Sequence, residues 1–337
     1  MPPTAPSPVT FRILRLLAGG NFRSGEELAR ALRVSRTTVW KALQNLEQWG
    51  VILFKVHGRG YRLVTPIDWL DPKQIQHWLG AHADALQVHL MDTVDSTNSL
   101  LLEEARVGAP SGLALAAELQ TRGRGRRGRV WHTGLGDALT FSLLWRFDGG
   151  VSSLHGLSLA VSLALVRALR RLGGTDVMVK WPNDILWRGQ KLAGVLIEVQ
   201  GDANGPTAAV IGVGINVRLD ERLRNRIGQP VADLVDAGIG HGRNRVLGEV
   251  LCSLADVLAL FSAQGFEPFS AEWERCHLLA GQPVALLLPD GAEARGTVTG
   301  VDEDGALLLQ TSTGLCRFHS GEVTVRAAQP LRRMPTG

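Results

Sequence analysis

The sequence predicts an α+β protein of several domains, and three changes of pattern along the chain support that prediction. Residues 1–65 read as three helices followed by a short hairpin. Residues 66–275 alternate apolar strand-like runs with helical patterns. Residues 276–337 contain short β-like runs separated by Gly and Asp, which is the pattern of a small β-barrel. A domain boundary is expected at the segment 65–72, which holds two prolines and two aspartates.

The composition is that of a globular protein rather than a disordered or membrane-spanning one. Apolar residues make up 45% of the 337 residues, and charged residues make up 20%. A net charge of +4 is too small to prove a nucleic-acid partner, so the positions of the basic residues matter more than their number. The most apolar window, residues 156–174, is too short and too amphipathic to cross a bilayer. We therefore expect a cytoplasmic protein without a signal peptide or a membrane partner.

The cysteines and histidines indicate neither a disulfide framework nor a transition-metal site. Cys252, Cys276 and Cys316 lie far apart without a CxxC pair, which is typical of reduced thiols in the cytoplasm. The nine histidines show no HxxxH or HExxH spacing.

The first domain carries the signals of a helix-turn-helix, beginning at residue 24. Ser24 with Glu27 three positions later forms a capping box. This box starts a helix that is expected to bury Leu28, Ala31 and Leu32.

A second helix is expected after Ser35, a further N-cap candidate, because Val39, Leu43 and Leu46 then recur on one apolar stripe. Two short helices joined by a tight turn form a helix-turn-helix. The start of the second helix presents side chains that can reach bases and phosphates, namely Arg36, Thr37, Thr38 and Lys41.

Residues 51–64 read as two strands around residues 57–60, a basic wing whose Arg59 is placed to lie along a DNA groove. A purely structural helical domain is the alternative. The ordered series of cap, turn, basic helix start and basic wing favours DNA binding. One copy offers few phosphate contacts, so tight specific binding would require a dimer.

In the middle domain, Ser96, Thr97 and Asn98 directly precede an apolar helical pattern. Their hydroxyl and amide groups can bind a neutral polar ligand, or they can cap the helix. Taken alone, these residues favour the cap.

Residues 121–131, TRGRGRRGRVW, hold five arginines and three glycines within eight positions. They connect two strand-like runs, 112–120 and 137–147, so we expect an anchored loop rather than a disordered tail. Glycines let the backbone approach a ligand, and arginines make bidentate contacts to phosphate or carboxylate. Because the arginines repel one another, the loop is expected to be mobile until an anion binds. The alternative, a solvated charge run, does not require so many glycines.

Residues 177–187, VMVKWPNDILW, are expected to end a strand at Lys180, since Pro182 cannot continue a central strand. This places Asn183 and Asp184 on a loop. An Asn–Asp pair beside phosphate-binding arginines suits Mg²⁺, which prefers oxygen ligands. An Asx turn is the alternative for Asn183.

Two further polar residues lie in apolar strands. Lys191 begins one such strand, where a lysine either extends to solvent or meets a phosphate. In the buried strand 210–217, Asn216 is the sole polar side chain, and two glycines allow close approach. The amide of Asn216 requires a partner in the protein or in a ligand.

These stretches together predict an anion-handling site without covalent catalysis by the protein. No Ser–His–Asp triad, Cys–His pair, close acid pair or P-loop motif is visible. A reaction driven by positioning and charge stabilisation fits phosphoryl or nucleotidyl transfer.

Four motifs in this order resemble the biotin–protein ligases, also called biotin–[acetyl-CoA carboxylase] ligases: GRGRRGR (123–129), KWPND (180–184), KLAG (191–194) and GVGINV (212–217). The helix-turn-helix in front is similar to that of the bifunctional bacterial members, which also repress the biotin operon. The resemblance implies a C-terminal SH3-like β-barrel. For the middle domain it implies a mixed sheet with helices on one side, as in class II aminoacyl-tRNA synthetases.

The resemblance also implies the reaction and its partners. Such enzymes join biotin and ATP into biotinyl-5′-AMP, with Mg²⁺ assisting, and transfer biotin to a lysine of a biotin carboxyl carrier protein, a subunit of acetyl-CoA carboxylase. Operator DNA would be a second partner, and the liganded protein would form a homodimer. A lipoate–protein ligase and a biotin-sensing repressor without ligase activity are the alternatives, and the motifs favour the biotin ligase.

Site residues are carried over motif by motif. Biotin would be held by Ser96, Thr97, Asn98, Gln120, Arg124, Arg126, Lys191 and Gly194. The nucleotide would be held by Gly123, Arg124, Arg126, Arg129, Trp131, Asn183, Asn216 and, by a looser match, Arg317. Lys191, Arg126 and Asp184 would serve catalysis, with Asp184 as the metal ligand and our hypothesis for the base of the transfer step. Two departures from the family pattern are Arg122, where a small residue is usual, and the segment 131–136.

Overall fold

The computed structural model describes residues 5–288, 292–319 and 324–327 of the chain. The N-terminal part comprises α1 (Pro8–Leu17), α2 (Gly25–Leu32), α3 (Arg36–Ala42) and the antiparallel hairpin of β1 (Leu53–Val56) and β2 (Gly60–Leu63). The predicted helix-turn-helix with a wing is therefore confirmed.

The predicted helix caps of this part are present. Ser24 and Glu27 form a complete capping box, and the Ser35 side chain accepts a hydrogen bond from the Thr38 backbone. The prediction that Ala31 is buried was wrong, because the apolar face of α2 passes through Ala29 instead and leaves Ala31 exposed. The face is set by the helical spacing from Leu28 and Leu32.

The central part is built on a seven-stranded mixed sheet. Its strands are β3 (Gln87–Val94), β4 (Leu113–Gln120), β5 (Ala138–Phe147), β6 (Val177–Lys180), β7 (Asp184–Trp187), β8 (Gln190–Gly201) and β9 (Thr207–Asn216). Their order across the sheet is β3-β4-β5-β9-β8-β7-β6. Only the pair of β3 and β4 is parallel, so the predicted mixed sheet is confirmed.

The helices of the central part are α4 (Pro72–Leu79), α5 (Thr97–Arg106), α6 (Leu157–Arg171), α7 (Glu221–Ile227), α8 (Arg243–Gln264) and α9 (Ser270–Cys276). The prediction of helices on one side of the sheet was wrong. Leu144 and Val210 pack with α5, whereas their strand neighbours Leu143 and Ile211 belong to the core formed with α6 and α8. Because successive strand side chains point to opposite faces, α5 covers the second face.

Two helical segments, Val151–Arg171 and Arg243–Gln264, have the length and hydropathy of membrane spans. About 61% of each apolar window is buried inside the protein. Helices in the core of a soluble protein pass the same test, so this observation is weak evidence for a membrane.

The C-terminal part is a five-stranded antiparallel sheet of β10 (Pro283–Leu287), β11 (Glu293–Val301), β12 (Leu307–Thr311), β13 (Gly314–Phe318) and β14 (Thr324–Ala327). The order is β13-β12-β11-β10-β14, and within the described residues β13 and β14 are the two open edges. The predicted strands are therefore present, but the closed SH3-like barrel expected here is not seen in the described part of the chain. Closure would require hydrogen bonds between those two edges.

Candidate ligand-binding site

A cavity of about 600 Å³ opens at the sheet, where the ends of β8 and β9 meet the arginine-rich loop. Thirteen of the predicted site residues line it: Ser96, Thr97, Asn98, Gln120, Arg124, Arg126, Arg129, Trp131, Asn183, Asp184, Lys191, Gly194 and Asn216. These residues span about 120 positions of the sequence, and the order of the strands in the sheet brings them together.

The polar side of the cavity is a buried hydrogen-bond network at the start of α5. Ser96 caps the helix, as expected from its position. Gln120 Oε1 accepts hydrogen bonds from the Thr97 backbone (2.7 Å) and from its hydroxyl (3.1 Å). Ser142 Oγ donates to Asn98 Oδ1 at 2.6 Å. Ser96 therefore provides the cap, and Thr97, Asn98 and Gln120 line the cavity, where ligand binding stays a prediction.

Glycines of β9 allow two side chains to lie directly on the sheet. A Cβ at Gly212 would lie 2.1 Å from Asn98 Oδ1, and a Cβ at Gly214 would lie 2.4 Å from the Trp131 ring. The predicted close approach is thus confirmed, and side chains of the protein itself make it. On β8, a Cβ at Gly194 would lie 3.4 Å from the same indole ring and 3.2 Å from Lys191 Cε.

The arginine-rich loop is a compact hairpin in this structure. Its backbone closes through Gly125 N–H donating to the Arg129 carbonyl (2.7 Å) and Trp131 N–H donating to the Gly123 carbonyl (2.9 Å). Gly123 supports the loop from behind and does not line the cavity. Arg127 adopts φ +56°, a left-handed conformation that is uncommon outside glycine. The expected mobility of the empty loop stays a prediction.

Arg124 is held by a residue that the sequence reasoning missed. Both its terminal nitrogens donate to the Glu198 carboxylate, at 3.0 and 2.8 Å, and one also donates to Ser99 Oγ. Glu198 also accepts from Asn98 Nδ2 at 2.8 Å. A lone carboxylate within the apolar strand β8 was the available signal, since an unpaired charge there would be costly.

Arg122 lies apart from the cavity. Its side chain is 71% exposed, and its guanidinium lies 3.7 Å from the Asp95 carboxylate. This departure from the family pattern therefore adds a surface ion pair rather than a ligand contact.

The second cationic wall comes from the hairpin of β6 and β7 and from the start of β8. The structure corrects one expectation here, because Asp184 is the first residue of β7 and pairs with Lys180 across the hairpin, so only Trp181 to Asn183 form the turn. Lys191 Nζ lies 2.6 Å from Asp184 Oδ1. Asn183 Oδ1 accepts a hydrogen bond from Arg126 at 3.2 Å.

The electrostatics of the cavity favour an anion. Six cationic side chains line it: Arg124, Arg126, Arg127, Arg129, Lys180 and Lys191. Among the described residues, Asp184 is the one carboxylate in that lining. Burial, and then repulsion from Arg127, lower the pKa of Arg126, and burial lowers the pKa of Lys180. A bound polyanion would relieve this unfavourable concentration of positive charge.

Asn216 and Arg317 have other contacts than those expected. The Asn216 amide donates to the backbone carbonyls of Lys191 (3.1 Å) and Ala232 (2.9 Å), and so it fixes the strand that carries Lys191. Arg317 is not among the residues that line the cavity, and its predicted nucleotide contact stays a prediction. Its guanidinium pairs with Asp302 and Asp304 on the C-terminal sheet.

The predicted DNA-reading residues lie on the surface of the N-terminal part. Arg36, Thr37 and Lys41 are exposed on α3. Thr38 is half-buried, and its Oγ1 lies 2.9 Å from Ser35 Oγ, so it belongs partly to the helix cap. Arg59 is exposed on the wing, and its guanidinium stacks 4.5 Å above the Phe22 ring.

Comparison with known proteins gives a family match for each of the three parts of the chain. The biotin/lipoate A/B protein ligase family matches residues 90–216, an HTH domain matches residues 9–62, and the biotin protein ligase C terminal domain matches residues 280–326. The chain is 38% identical to the bifunctional ligase/repressor BirA of Escherichia coli strain K12, over 95% of this chain and 98% of the relative. The chain belongs to the bifunctional biotin ligase/repressor family.

Other relatives of this ligase/repressor chain give the same result. Biotin–[acetyl-CoA-carboxylase] ligase of Paracoccus denitrificans is 33% identical over 69% of this chain and 98% of its own. The solved structure of a biotin protein ligase from Aquifex aeolicus, in complex with biotin and ATP, is 30% identical. It aligns with a TM-score of 0.61 over 72% of this chain and 99% of its own. These relatives do not favour the lipoate alternative.

Proposed function

We propose that the chain activates biotin with ATP to biotinyl-5′-AMP and transfers biotin to a lysine of a biotin carboxyl carrier protein. The observation that carries this proposal is that one cavity combines six cations, a neutral polar wall and an apolar lining that includes Phe141, Val213 and Ile227. Such a cavity suits a ligand with an apolar ring system next to a phosphate.

Biotin would lie against the network of Ser96, Thr97, Asn98 and Gln120. Their uncharged hydrogen bonds suit a neutral ring, and Gly194 lets the side chains of Lys191 and Trp131 lie close to β8. Arg124, Arg126 and Arg129 would hold the phosphates, and Trp131 would flank the adenine. We propose that Asn216 acts through the backbone of Lys191 rather than by touching the triphosphate.

In the first step, a biotin carboxylate oxygen attacks the α-phosphorus, an oxygen–phosphorus bond forms, and pyrophosphate leaves. The carboxylate is already ionised at pH 7, so no general base is required. Lys191 and Arg126 would neutralise the charge that builds up on the α-phosphate.

Mg²⁺ is the cofactor that this reaction implies. The described residues contain no cluster of three or more metal-ligating side chains. Asp184 and Asn183 supply two oxygen ligands at the cavity, which fits Mg²⁺ because this ion is usually held by one or two carboxylates plus substrate phosphates. When bound, the ion would supply charge neutralisation for the phosphates.

In the second step, the neutral amine of the carrier lysine attacks the acyl carbon and AMP leaves. The amine must lose its protons, and we propose that Asp184 accepts one of them.

The N-terminal helix-turn-helix would bind operator DNA and repress genes of biotin synthesis. We propose a homodimer in the liganded state, because two half-sites are needed for tight binding.

The proposed domains are residues 1–65, 66–275 and 276–337. A cytoplasmic location is supported by three free cysteines, Cys252, Cys276 and Cys316.

Incubation of the protein with labelled biotin, ATP and a biotin carboxyl carrier domain tests the ligase. Label should appear on the carrier and should depend on ATP. A parallel incubation with labelled lipoate, ATP and a lipoate carrier domain should leave that domain unlabelled. Biotin binding without any labelled carrier would instead support a repressor that lacks ligase activity.

A further inference from the structure

A turn of the C-terminal sheet, residues 302–306, touches the hairpin that carries Asn183 and Asp184. Trp181 is only 2% exposed, and its indole Nε1 donates a hydrogen bond to the Gly305 carbonyl at 3.1 Å. Gly305 itself packs against Gly156, and a Cβ added at Gly305 would lie 2.9 Å from the Gly156 Cα. The turn is therefore seated tightly on the central part.

The turn is held in shape by Asp302 and Arg317. Asp302 Oδ1 accepts hydrogen bonds from the backbone of Asp304 and of Ala306, both at 2.9 Å. Arg317 Nε lies 2.5 Å from Asp302 Oδ2, and its Nη2 lies 3.1 Å from Asp304 Oδ2. Asp302 is largely buried, so its charge requires this partner.

Trp181 connects this turn with the ligand cavity. The next residue, Pro182, is fixed by Ser158 Oγ, which donates to its carbonyl at 2.9 Å. Asn183 and Asp184 follow directly, and they contact Arg126 and Lys191 respectively. A change in the indole position would therefore move the groups that orient both cations.

We propose that Arg317 and Trp181 are positioning residues for the ligase site. We expect neither the Arg317 guanidinium nor the Trp181 indole nitrogen to contact ATP. Arg317 fixes the turn, the turn offers the Gly305 carbonyl, and the Trp181 indole transmits this placement to Asn183 and Asp184. The proposal rests on the proposed function for its catalytic readout.

The test uses the full-length chain with Arg317→Gln, Trp181→Phe and the double variant. For biotinyl-AMP formation we expect each single variant to lower kcat about 3- to 10-fold, with the KM for ATP changed less than about 2-fold, because loss of one buried hydrogen bond is of that size. The double variant should be no slower than the slower single variant, because both changes break one connection. Arg317→Lys, which keeps the charge, should restore part of kcat.

Arg295→Gln is the matched control, since Arg295 is 73% exposed on β11 and pairs only with Glu293 in the described structure. It should leave both parameters unchanged. A rise in the KM for ATP with unchanged kcat in Arg317→Gln, additive with Trp181→Phe, would make Arg317 a nucleotide contact and overturn the proposal.

Urea unfolding of the wild type, Arg317→Gln, Trp181→Phe and the double variant keeps the proposal testable whatever the activity. Coupling between the two substitutions should appear as a free energy of unfolding for the double variant that is less reduced than the sum of the single effects. Additive effects on unfolding would overturn the proposal. An inactive wild-type protein that still shows coupling would count against the proposed function alone.

Discussion

Lys191 and Asp184 form an ion pair within the lining of the cavity. Their side chains lie 2.6 Å apart and are 20% and 27% exposed. Partial burial strengthens this attraction relative to a surface pair. The pair holds Lys191 at the start of β8, and a phosphate bound there would compete with Asp184 for the ammonium group.

Asp184→Asn should therefore affect the transfer step strongly. Without a carboxylate to accept the proton, transfer from preformed biotinyl-AMP to the carrier should slow by roughly 10²- to 10⁴-fold, and the rate should recover as pH rises. Single-turnover assays across pH 6 to 9 measure this step without step one. Asp176→Asn is the control, because Asp176 pairs with exposed Arg188 outside the cavity. An undiminished transfer rate would refute the role of Asp184.

At the scale of single elements, α3 presents one buried and one exposed face. Val39 is buried within the N-terminal core, whereas Arg36, Thr37 and Lys41 are exposed. Trp40 lies on the same exposed side and is 56% exposed, an unusual position for a large aromatic ring on a short helix. This face is available to a DNA groove.

Arg36→Gln should weaken DNA binding in a salt-dependent manner. Loss of one phosphate contact should lower the slope of log K against log salt by about 1. Fluorescence anisotropy with DNA selected by the wild-type protein from a random pool measures this slope. Arg106→Gln removes the same charge from an exposed side chain at the end of α5 in the central part and should change neither affinity nor slope. Equal effects of the two substitutions would show that only net charge matters.

At the scale of the whole molecule, the N-terminal and central parts share contacts and a core. Leu119 and Leu135 of the central part pack into the N-terminal core, and the Leu135 N–H donates to the Trp49 carbonyl at 2.8 Å. Leu135 is only four residues beyond Trp131, which lines the ligand cavity. A short stretch of chain therefore joins the cavity to the DNA-binding part.

Asp137 lies at this junction and titrates near neutrality. Burial, and then repulsion from Asp220, raise the pKa of Asp137 to about 7. Because the folded protein binds this proton more tightly than the unfolded chain does, stability should fall as pH rises from about 4 to 7. Between pH 5 and 8 the expected loss is roughly 2–3 kcal/mol, since one pKa unit corresponds to about 1.4 kcal/mol.

Asp137→Asn should remove this loss of stability at high pH. Urea unfolding at pH 5 and pH 8 gives the two free energies of unfolding for each protein. Asp148→Asn, an exposed carboxylate at the other end of β5, should behave like the wild type. Asp220→Asn should reduce the pH dependence, because it removes the neighbouring charge. A variant Asp137→Asn with the pH dependence of the wild type would contradict the assignment.

The segment 65–72 shows what a local sequence pattern misses at this scale. Its prolines and aspartates indicated a boundary, yet the segment is bound firmly to the central part. Arg243, which is fully buried, donates to the Asp68 carbonyl (2.8 Å) and to Glu118 (2.7 Å), and Glu118 accepts from the Leu70 backbone. These partners are far apart in sequence, so no local pattern could reveal the connection.

The sequence by itself determined what depends on neighbouring residues. Capping by Ser24 and Ser35, the strands β4, β5 and β9 and the glycine–arginine composition of the loop all follow from local spacing and propensity. The motifs also predicted which side chains surround the cavity, because their order along the chain is a property of the family.

Only the tertiary structure decided which residues are partners. Long-range packing put α5 on the second face of the sheet, and strand pairing made Asp184 the first residue of β7. Glu198 pairs with Arg124, and Asp302 and Asp304 pair with Arg317. The physical reason is that a buried charge or amide takes the partner that the packed sheet brings within about 3 Å. That partner is set by the strand order, which no local stretch of sequence contains.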